Sequence, residues 1–206
     1  GIGRVYINSM SILRGTRHDV MTEIDHHAGQ GHIVLSFMAQ ESRESILGLL
    51  RQAEAVVCKG MTTLGVRKQQ GVSAVQFGEP ASYAVTDKVT KLLGDLGSVL
   101  ELDSETEMQA FTVTVGCFPG ALAYMLEQWE YAGKQNGVDL SSNFSTLLRS
   151  SADLLEKHGG AQALRCAVAT KGGVTQAIIE TMGKKGLSRV IVDGVNAGKE
   201  RMQKRA

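Results

Sequence analysis

The sequence predicts an α/β domain followed by an all-α domain, and three observations support that prediction. In the first half, short β-branched runs alternate with helix-like segments, which is typical of a parallel sheet. Beyond about residue 103 the pattern becomes almost wholly helical. At 206 residues, the chain can form one ordinary domain or two small ones around a buried core. We therefore expect an α/β domain over residues 1–103 and a helical domain over residues 104–206.

Five runs in the first half read as strands. The first three are apolar without polar alternation, which indicates strands buried on both faces of a parallel sheet. The predicted strands span residues 5–7, 33–37, 55–58, 72–77 and 99–102. Apolar residues at helical spacing predict helices between them, over residues 16–28, 42–50 and 83–96. Gly97 is expected to cap the last of these helices at its C-terminus.

The second half contains five predicted helices. Pro119 suits the first turn of the first one, whose apolar residues recur at i, i+3, i+4, i+7 and i+10. Ser141 or Ser142 is expected to cap the second helix, and Gly159-Gly160 to end it. The other three are predicted over residues 162–169, 174–182 and 187–204. Because so small a bundle buries its apolar faces better in a pair, we expect a homodimer.

The charge balance and composition argue against several partners. Lys+Arg 22 against Asp+Glu 21 leaves a net charge of +1, so no global field favours nucleic acid or an anionic membrane. No apolar run approaches the roughly 20 residues that span a bilayer, and the N-terminus shows no signal pattern. Cys58, Cys117 and Cys166 are far apart and odd in number. We expect three buried free thiols in a reducing compartment, and hence a cytoplasmic protein.

The most specific local feature is a Gly-Gly turn that opens a helix. Gly172 and Gly173 are flanked by Thr170, Lys171 and Thr175. Such a helix start presents free N–H groups and a partial positive charge, and the hydroxyls and the ammonium add donors. The turn can therefore hold a carboxylate or a phosphate. The alternative is that the glycines only close one helix and open the next.

A second candidate segment begins at Met61 and includes Thr63. It directly follows the apolar strand that ends at Cys58, so it lies at the carboxyl end of a predicted parallel strand. Ligands of open α/β sheets bind at that edge. A plain turn between a strand and a loop is the alternative.

The histidines do not predict a metal site. His26 and His27 are adjacent and would face different directions on a helix, while His18 lies two turns earlier. A solvated helix face explains them better. The sequence contains no Cys-x-x-Cys, no Gly-x-Ser-x-Gly and no Walker loop. No side chain stands out as an acid or a base, so no catalytic residue is assigned.

Five stretches of the sequence carry a family resemblance. The two most specific are a small-residue turn with a central proline over residues 112–120 and the Gly-Gly loop over residues 168–175. The others span residues 31–50, 56–75 and 92–103. On these stretches, nearly the whole chain resembles the pyrroline-5-carboxylate reductase family. The resemblance implies a partial Rossmann-like sheet followed by a helical domain that interlocks two subunits.

The resemblance also implies a reaction and the residues that serve it. Family members pass a hydride from NADPH or NADH to the ring imine of pyrroline-5-carboxylate, which gives proline. A protonated imine needs mainly alignment and an anchor for its carboxylate. By resemblance, the carboxylate anchors are Thr170, Gly172, Gly173 and Thr175. The chemistry of the helix start, and not the resemblance, adds Lys171 as a donor. Met61 and Thr63 would lie beside the nicotinamide, and Ser9 and Ser11 near the other end of the cofactor.

The sequence departs from the family at several positions. Gly1-Ile2-Gly3 follows no strand and precedes one, so it is not the glycine-rich fingerprint, and we expect that part of the Rossmann domain to be lacking. The family has a Met-Pro-Asn-Thr-Pro turn where this sequence has Met61-Thr62-Thr63-Leu64-Gly65. Phe118 replaces a glycine, and Lys171 replaces a proline. The missing glycine turn favours a protein without redox activity, whereas the Gly-Gly loop and the dimer helices favour family membership in either case. We expect a reductase of this family with a divergent substrate. The alternatives are a binding or dimerisation protein without redox activity, and a subunit whose partner chain supplies the missing strands.

Overall fold

The computed structural model describes residues 4–8, 14–39, 41–50, 54–78 and 81–204. Its strands are β1 (Val5–Asn8), β2 (Ile33–Ser36), β3 (Val56–Thr62), β4 (Gly71–Gln76) and β5 (Gly97–Glu101). The helices are α1 (Arg14–His27), α2 (Arg43–Leu49), α3 (Tyr83–Gly94), α4 (Glu105–Phe111), α5 (Phe118–Gln135), α6 (Phe144–His158), α7 (Ala161–Val168), α8 (Val174–Lys184) and α9 (Leu187–Gln203). A 3-10 turn (Leu64–Lys68) follows β3, and a π-helical turn (Thr112–Gly116) links α4 to α5. The predicted order, an α/β part followed by an all-α part, is confirmed.

The sheet has the strand order β1-β2-β3-β4-β5. Three of its four strand pairs are parallel, but β3 and β4 run antiparallel. The prediction of a parallel sheet was therefore wrong at this pair. A parallel crossover needs about a dozen residues or more, and the connection over residues 63–70 is shorter and contains only a 3-10 turn.

Helices cover both faces of the sheet. On one face, Met21 of α1 and Ile46 of α2 pack with Val34 and Val57. On the other face, α3 covers Leu35, Cys58 and Val75 through three side chains, Val85, Val89 and Leu93. Each such side chain contributes about 1.5–3 kcal/mol when it is fully buried. The sheet therefore has a core on each side.

Glycines set the close approach of β4 and β5. Gly97 has φ +140°, and a Cβ there would lie 2.1 Å from the carbonyl oxygen of Gly71. Only glycine fits both conditions. Gly97 was predicted as the C-terminal cap of the preceding helix, and that assignment was wrong. α3 ends at Gly94, and Gly97 is the first residue of β5, because the strand pairing with Gly71 requires it there.

The structure contains two compact units. The first runs to Pro119 and includes the chain from Ala197 onward, and the second is Gly120–Asn196. The sequence boundary at residue 103 followed composition. The compact unit extends further because Met108 and Phe111 of α4 pack against Ala74 of β4.

The helical unit Gly120–Asn196 has no buried residue within a single chain. Its predicted apolar stripes are present, but they face outward. The larger exposed members include Trp129, Leu147, Leu148, Leu154, Leu155, Ile178 and Ile191. Gly159 ends α6 in the left-handed conformation, as predicted. The N-cap is Asn143 rather than Ser141 or Ser142, because the backbone N–H of Ser141 bonds to the Asp139 carboxylate in a separate turn.

One continuous helical run in the described part of the chain, Glu105–Gln135, is long and apolar enough to cross a membrane by length and composition alone. Only 11% of its apolar window is buried. The sequence analysis expected no such segment. Length and composition of a single helix are weak evidence for a membrane span, and the same exposed apolar surface suits contact with a second protein surface.

The three cysteines have different environments. Cys58 is buried in β3, and its burial raises the pKa of the thiol to about 11. Cys117 and Cys166 are exposed free thiols. The prediction of three buried thiols is confirmed only for Cys58, because apolar neighbours in sequence do not bury a side chain on an outward helix face.

Candidate functional site

The candidate site lies at one edge of the sheet. The carboxyl ends of β1, β2 and β3 meet there, since these strands are parallel. The antiparallel β4 and its parallel neighbour β5 begin at the same edge, with Gly71 and Gly97. Open α/β sheets bind their ligands outside the carboxyl ends of parallel strands.

Met61 lies near the end of β3, and its side chain is half-buried. Its Cγ lies 4.0 Å from the point that a Cβ on Gly116 would occupy. Met61 and Val115 also flank the same buried cluster around Met108. The structure therefore brings together two segments that the sequence analysis identified separately, the turn after β3 and the small-residue turn.

The π-helical turn ends at Gly116 and places this residue near Met61. The hydroxyl of Thr112 donates to the carbonyl of Met108 at 2.8 Å, and that of Thr114 donates to Ala110 at 2.6 Å. These bonds satisfy the hydroxyls locally while the backbone widens to the π form. A π-turn inserts one residue and changes the face that later residues present, and such turns often occur at functional sites.

Thr63 is held in place by Val72. Its N–H donates to the Val72 carbonyl at 3.1 Å, and its Oγ1 accepts from the Val72 N–H at 3.0 Å. Among the described residues the Thr63 hydroxyl has no acceptor, so its proton can serve a carbonyl oxygen of a ligand. The neighbouring hydroxyl of Thr62 is paired with that of Ser73 at 2.9 Å.

Two apolar side chains border this edge in positions that the sequence analysis had noted as departures from the family. Leu64 is 74% exposed at the start of the 3-10 turn, and Phe118 is 52% exposed at the start of α5. Gly65 is required by packing, because a Cβ there would lie 2.5 Å from the Gln70 carbonyl oxygen. The edge is therefore rigid at Gly65 and carries exposed apolar groups beside it.

The Gly-Gly loop has a different geometry from the one that the sequence suggested. The N–H of Gly173 donates to the Thr170 carbonyl at 2.9 Å, and the N–H of Gly172 donates to Oε1 of Gln176 at 2.6 Å. Nε2 of Gln176 in turn donates to Glu180 at 2.7 Å. Both glycine amides thus have partners inside the loop.

The start of α8 still offers backbone donors. Gly173 is the N-cap and makes no side-chain cap bond, so the N–H groups of Val174, Thr175 and Gln176 have no acceptor inside the helix. Lys171 is exposed beside them. Sequence reasoning missed Gln176, although a glutamine at the third position of a helix commonly reaches back to the N–H of the N-cap. Here it reaches one residue further, to the N–H of Gly172.

Other predicted residues lie elsewhere or outside the described part. Ser9 and Ser11 fall outside the described residues. His27 and His32 line an open depression of about 580 Å³ with Arg4 and Tyr6, before the amino ends of β1 and β2. Among the described residues, no group of three or more His, Cys, Asp or Glu side chains is placed to hold a metal ion.

Comparisons with known proteins find related sequences and structures. Residues 105–205 match the domain family described as pyrroline-5-carboxylate reductase dimerisation. The pyrroline-5-carboxylate reductase of Staphylococcus aureus (strain COL) is 25% identical over 198 residues, which cover 92% of this chain and 72% of the relative. That of Staphylococcus haemolyticus is 23% identical over 154 residues, 73% of this chain and 56% of the relative.

Solved structures show the same fold. A pyrroline-5-carboxylate reductase from Coxiella burnetii has a TM-score of 0.87 at 15% identity, over 98% of this chain and 76% of that one. The Plasmodium falciparum pyrroline carboxylate reductase, solved with NADP bound, has a TM-score of 0.82 at 15% identity, with the same coverage. The fold class is thus a Rossmann-type sheet followed by a helical region. Within it, the chain belongs to the pyrroline-5-carboxylate reductase family.

Proposed function

We propose that this chain acts in an NAD(P)H-dependent imine reductase that converts pyrroline-5-carboxylate to proline. The observation that carries the proposal is that Gly116 lies near Met61 at the carboxyl edge of β3, since a Cβ on Gly116 would lie 4.0 Å from Cγ of Met61. It joins two family segments at the edge where α/β sheets bind their ligands. A relative of the same fold binds NADP.

The residues at this edge fit a nicotinamide ring. Met61 offers a half-buried apolar surface, and Gly116 leaves room beside it. The hydroxyl of Thr63 keeps a proton for the carboxamide oxygen. Met61 and Thr63 are therefore the residues that we propose beside the nicotinamide. Ser9 and Ser11 stay a prediction for the other end of the cofactor, and NADP and NAD are both compatible with the proposal.

The reduced cofactor would supply a hydride to the imine carbon. The chain's own residues would orient the two partners and exclude water between them. For the substrate carboxylate, we propose the start of α8, with the N–H groups of Val174 to Gln176, the hydroxyls of Thr170 and Thr175, and Lys171. Because Gln176 occupies the Gly172 N–H, a bound carboxylate that used this amide would displace the glutamine side chain.

We also propose a homodimer formed through the helical unit. The support is that none of its residues is buried within one chain, although its helices carry continuous apolar stripes. Large contiguous apolar surfaces on a protein are typically interfaces. Free thiols are compatible with a reducing compartment, and a cytoplasmic location stays a prediction.

A non-catalytic family member is the second candidate function. The exposed Leu64 and Phe118 at the proposed nicotinamide edge favour it, because they place apolar groups where the family has proline-rich and glycine turns. Such a protein would dimerise without turnover. Cofactor binding and proline formation separate the two candidates.

The first experiment titrates NADPH and NADH into the purified chain and follows cofactor fluorescence, with proline formation from pyrroline-5-carboxylate as the activity readout. A reductase gives saturable fluorescence enhancement and proline. A dimer that binds neither cofactor up to millimolar concentration, and makes no proline, supports the second candidate instead.

A second experiment tests the carboxylate site by comparing Gly172→Val with Gly186→Val. Both glycines have positive φ and open space around the missing Cβ, so both substitutions impose similar backbone strain. We expect Gly172→Val to lose binding of proline-like acids in calorimetry, while Gly186→Val keeps it and both remain dimeric. Equal affinities in the two variants would contradict the assignment.

A further inference from the structure

A lysine is buried in the middle of the sheet. Lys59 of β3 is 1% exposed, and its Nζ donates to Oε1 of Glu105 at 2.8 Å. Glu105 is the first residue of α4 and is only partly exposed. Removing two charges from water costs several kcal/mol per ion, and their attraction often only offsets that cost. Such a pair therefore needs an explanation other than stability.

Lys59 belongs to a row of polar residues that crosses the sheet. Ser36, Lys59 and Gln76 are register partners on β2, β3 and β4, so their side chains share one face. All three are buried. Oε1 of Gln76 and Oε2 of Glu105 are buried without a hydrogen-bond partner among the described residues. Unpaired acceptors lower stability, which again argues against a purely stabilising role for this row.

The ion pair defines one orientation of α4 on the sheet. Glu105, Met108 and Phe111 recur every three residues along α4, and the latter two pack against Ala74. Apolar contacts have no direction, so alone they permit several tilts and rotations of a seven-residue helix. A buried charge that must meet one partner permits far fewer. Fixing the register of packed elements is the best-supported use of buried polar groups.

The orientation of α4 decides what reaches the end of β3. α4 continues directly into the π-helical turn, whose last residue, Gly116, lies so near Met61 that a Cβ there would be 4.0 Å from the Met61 Cγ. Lys59 lies on the same strand two residues before Met61, so one strand carries both contact points. A small rotation at Glu105 would carry Gly116 away from Met61.

We infer that Lys59 and Glu105 are a positioning pair that holds α4 so that Gly116 lies against Met61. The placement itself is a property of the sheet unit. Its consequence for hydride transfer rests on the proposed function, because it assumes that the nicotinamide lies at this edge.

The first test measures the placement without any cofactor. Met61→Cys and Gly116→Cys are introduced together in a chain with Cys117→Ser and Cys166→Ser, and disulfide formation under mild oxidation is followed by peptide mass mapping. A Cβ at position 116 would lie 4.0 Å from the Met61 Cγ, which marks roughly where the sulfur of a cysteine at position 61 would lie. We expect rapid formation in this background and with Lys59→Arg, which keeps the charge pair.

The informative variant is Lys59→Met with Glu105→Leu. Replacing a buried pair by apolar groups of similar volume keeps or raises the urea midpoint. We expect the folded double variant to form the disulfide at least about tenfold more slowly, because fewer encounters meet the strict geometry of the bond. Formation at the parent rate in this variant would overturn the inference, as would failure of the parent pair to cross-link.

A kinetic readout then connects placement to catalysis. In the same double variant with its native Met61 and Gly116, we expect kcat to fall by about tenfold or more, since small misplacements of reacting groups cost large factors. KM for the imine acid should stay unchanged, and the single variant Lys59→Arg, which keeps the charge pair, should retain the parent kcat. An unchanged kcat in the double variant would contradict the catalytic consequence. If the parent chain shows no reductase activity, the proposed function fails while the cross-linking result still decides the inference.

Discussion

The sheet unit and the helical unit use apolar residues in opposite ways. In the sheet unit, side chains such as Leu35 and Val34 are fully buried between strands and helices of the same chain. In the helical unit, side chains of the same type, such as Leu147 and Leu155, are exposed. The first unit therefore contains its own core, whereas the second needs another surface to bury its stripes. Four predictions test this contrast.

The largest effect is expected from a charge on the helical stripe. Leu155→Lys places an ammonium on the apolar face of α6, while Asp153→Lys places the same group on the opposite face. A buried unpaired charge costs about 3–5 kcal/mol, which weakens a dimer by roughly two to four orders of magnitude. Sedimentation equilibrium should show a monomer for Leu155→Lys and a dimer for Asp153→Lys. Two variants with equal dissociation constants would argue against α6 as the interface.

A core truncation in the sheet unit should act on folding rather than on assembly. Leu35→Ala leaves a cavity beneath α3 and is expected to cost about 2–5 kcal/mol in urea unfolding. Leu100→Ala removes the same atoms from a position that is 45% exposed, and should cost about 0.5 kcal/mol or less. Both variants should remain dimeric. Similar losses of unfolding free energy at the two positions would contradict the placement of the core on both faces of the sheet.

The buried thiol predicts a pH dependence. Burial raises the folded-state pKa of Cys58 from 9.0 to about 11. The stability that the neutral thiol contributes is thus full below pH 9 and is lost as the pH rises towards 11, by roughly 2 kcal/mol. Under reducing conditions, the urea midpoint should fall more steeply between pH 8.5 and about 11 for the parent than for Cys58→Ala. If the urea midpoints of the parent and of Cys58→Ala changed equally with pH, the Cys58 thiol would not be shielded from solvent.

The smallest expected effect on stability comes from a comparison of two serines, one that caps a helix and one that does not. Ser104 caps α4 in a capping box, in which its Oγ accepts from the Glu107 N–H and the Glu107 carboxylate accepts from the Ser104 N–H. Ser104→Ala is expected to cost about 1 kcal/mol in unfolding experiments. Ser142→Ala should be nearly neutral, because the cap of α6 is Asn143. A larger loss at Ser142 would restore the cap that the sequence suggested.

The candidate site was predictable in its parts but not in its assembly. Met61 and Gly116 each lie in a segment with a recognisable pattern, yet nothing local in the sequence shows that they lie close together. Lys59 was hidden in an apolar run, because a single charge there has no periodic signal. The hydrogen bond from the Gly172 N–H to the Gln176 side chain depends on a side-chain conformation that sequence spacing alone does not define.

The sequence by itself determined where most helices and strands lie, because periodicity, glycines and prolines act through neighbours along the chain. It also determined the family. Only the tertiary structure decided that β4 runs against β3, that α4 belongs with the sheet, and that Lys59 meets Glu105. Those features join residues far apart in sequence, and their geometry follows from the packing of whole elements rather than from local preference.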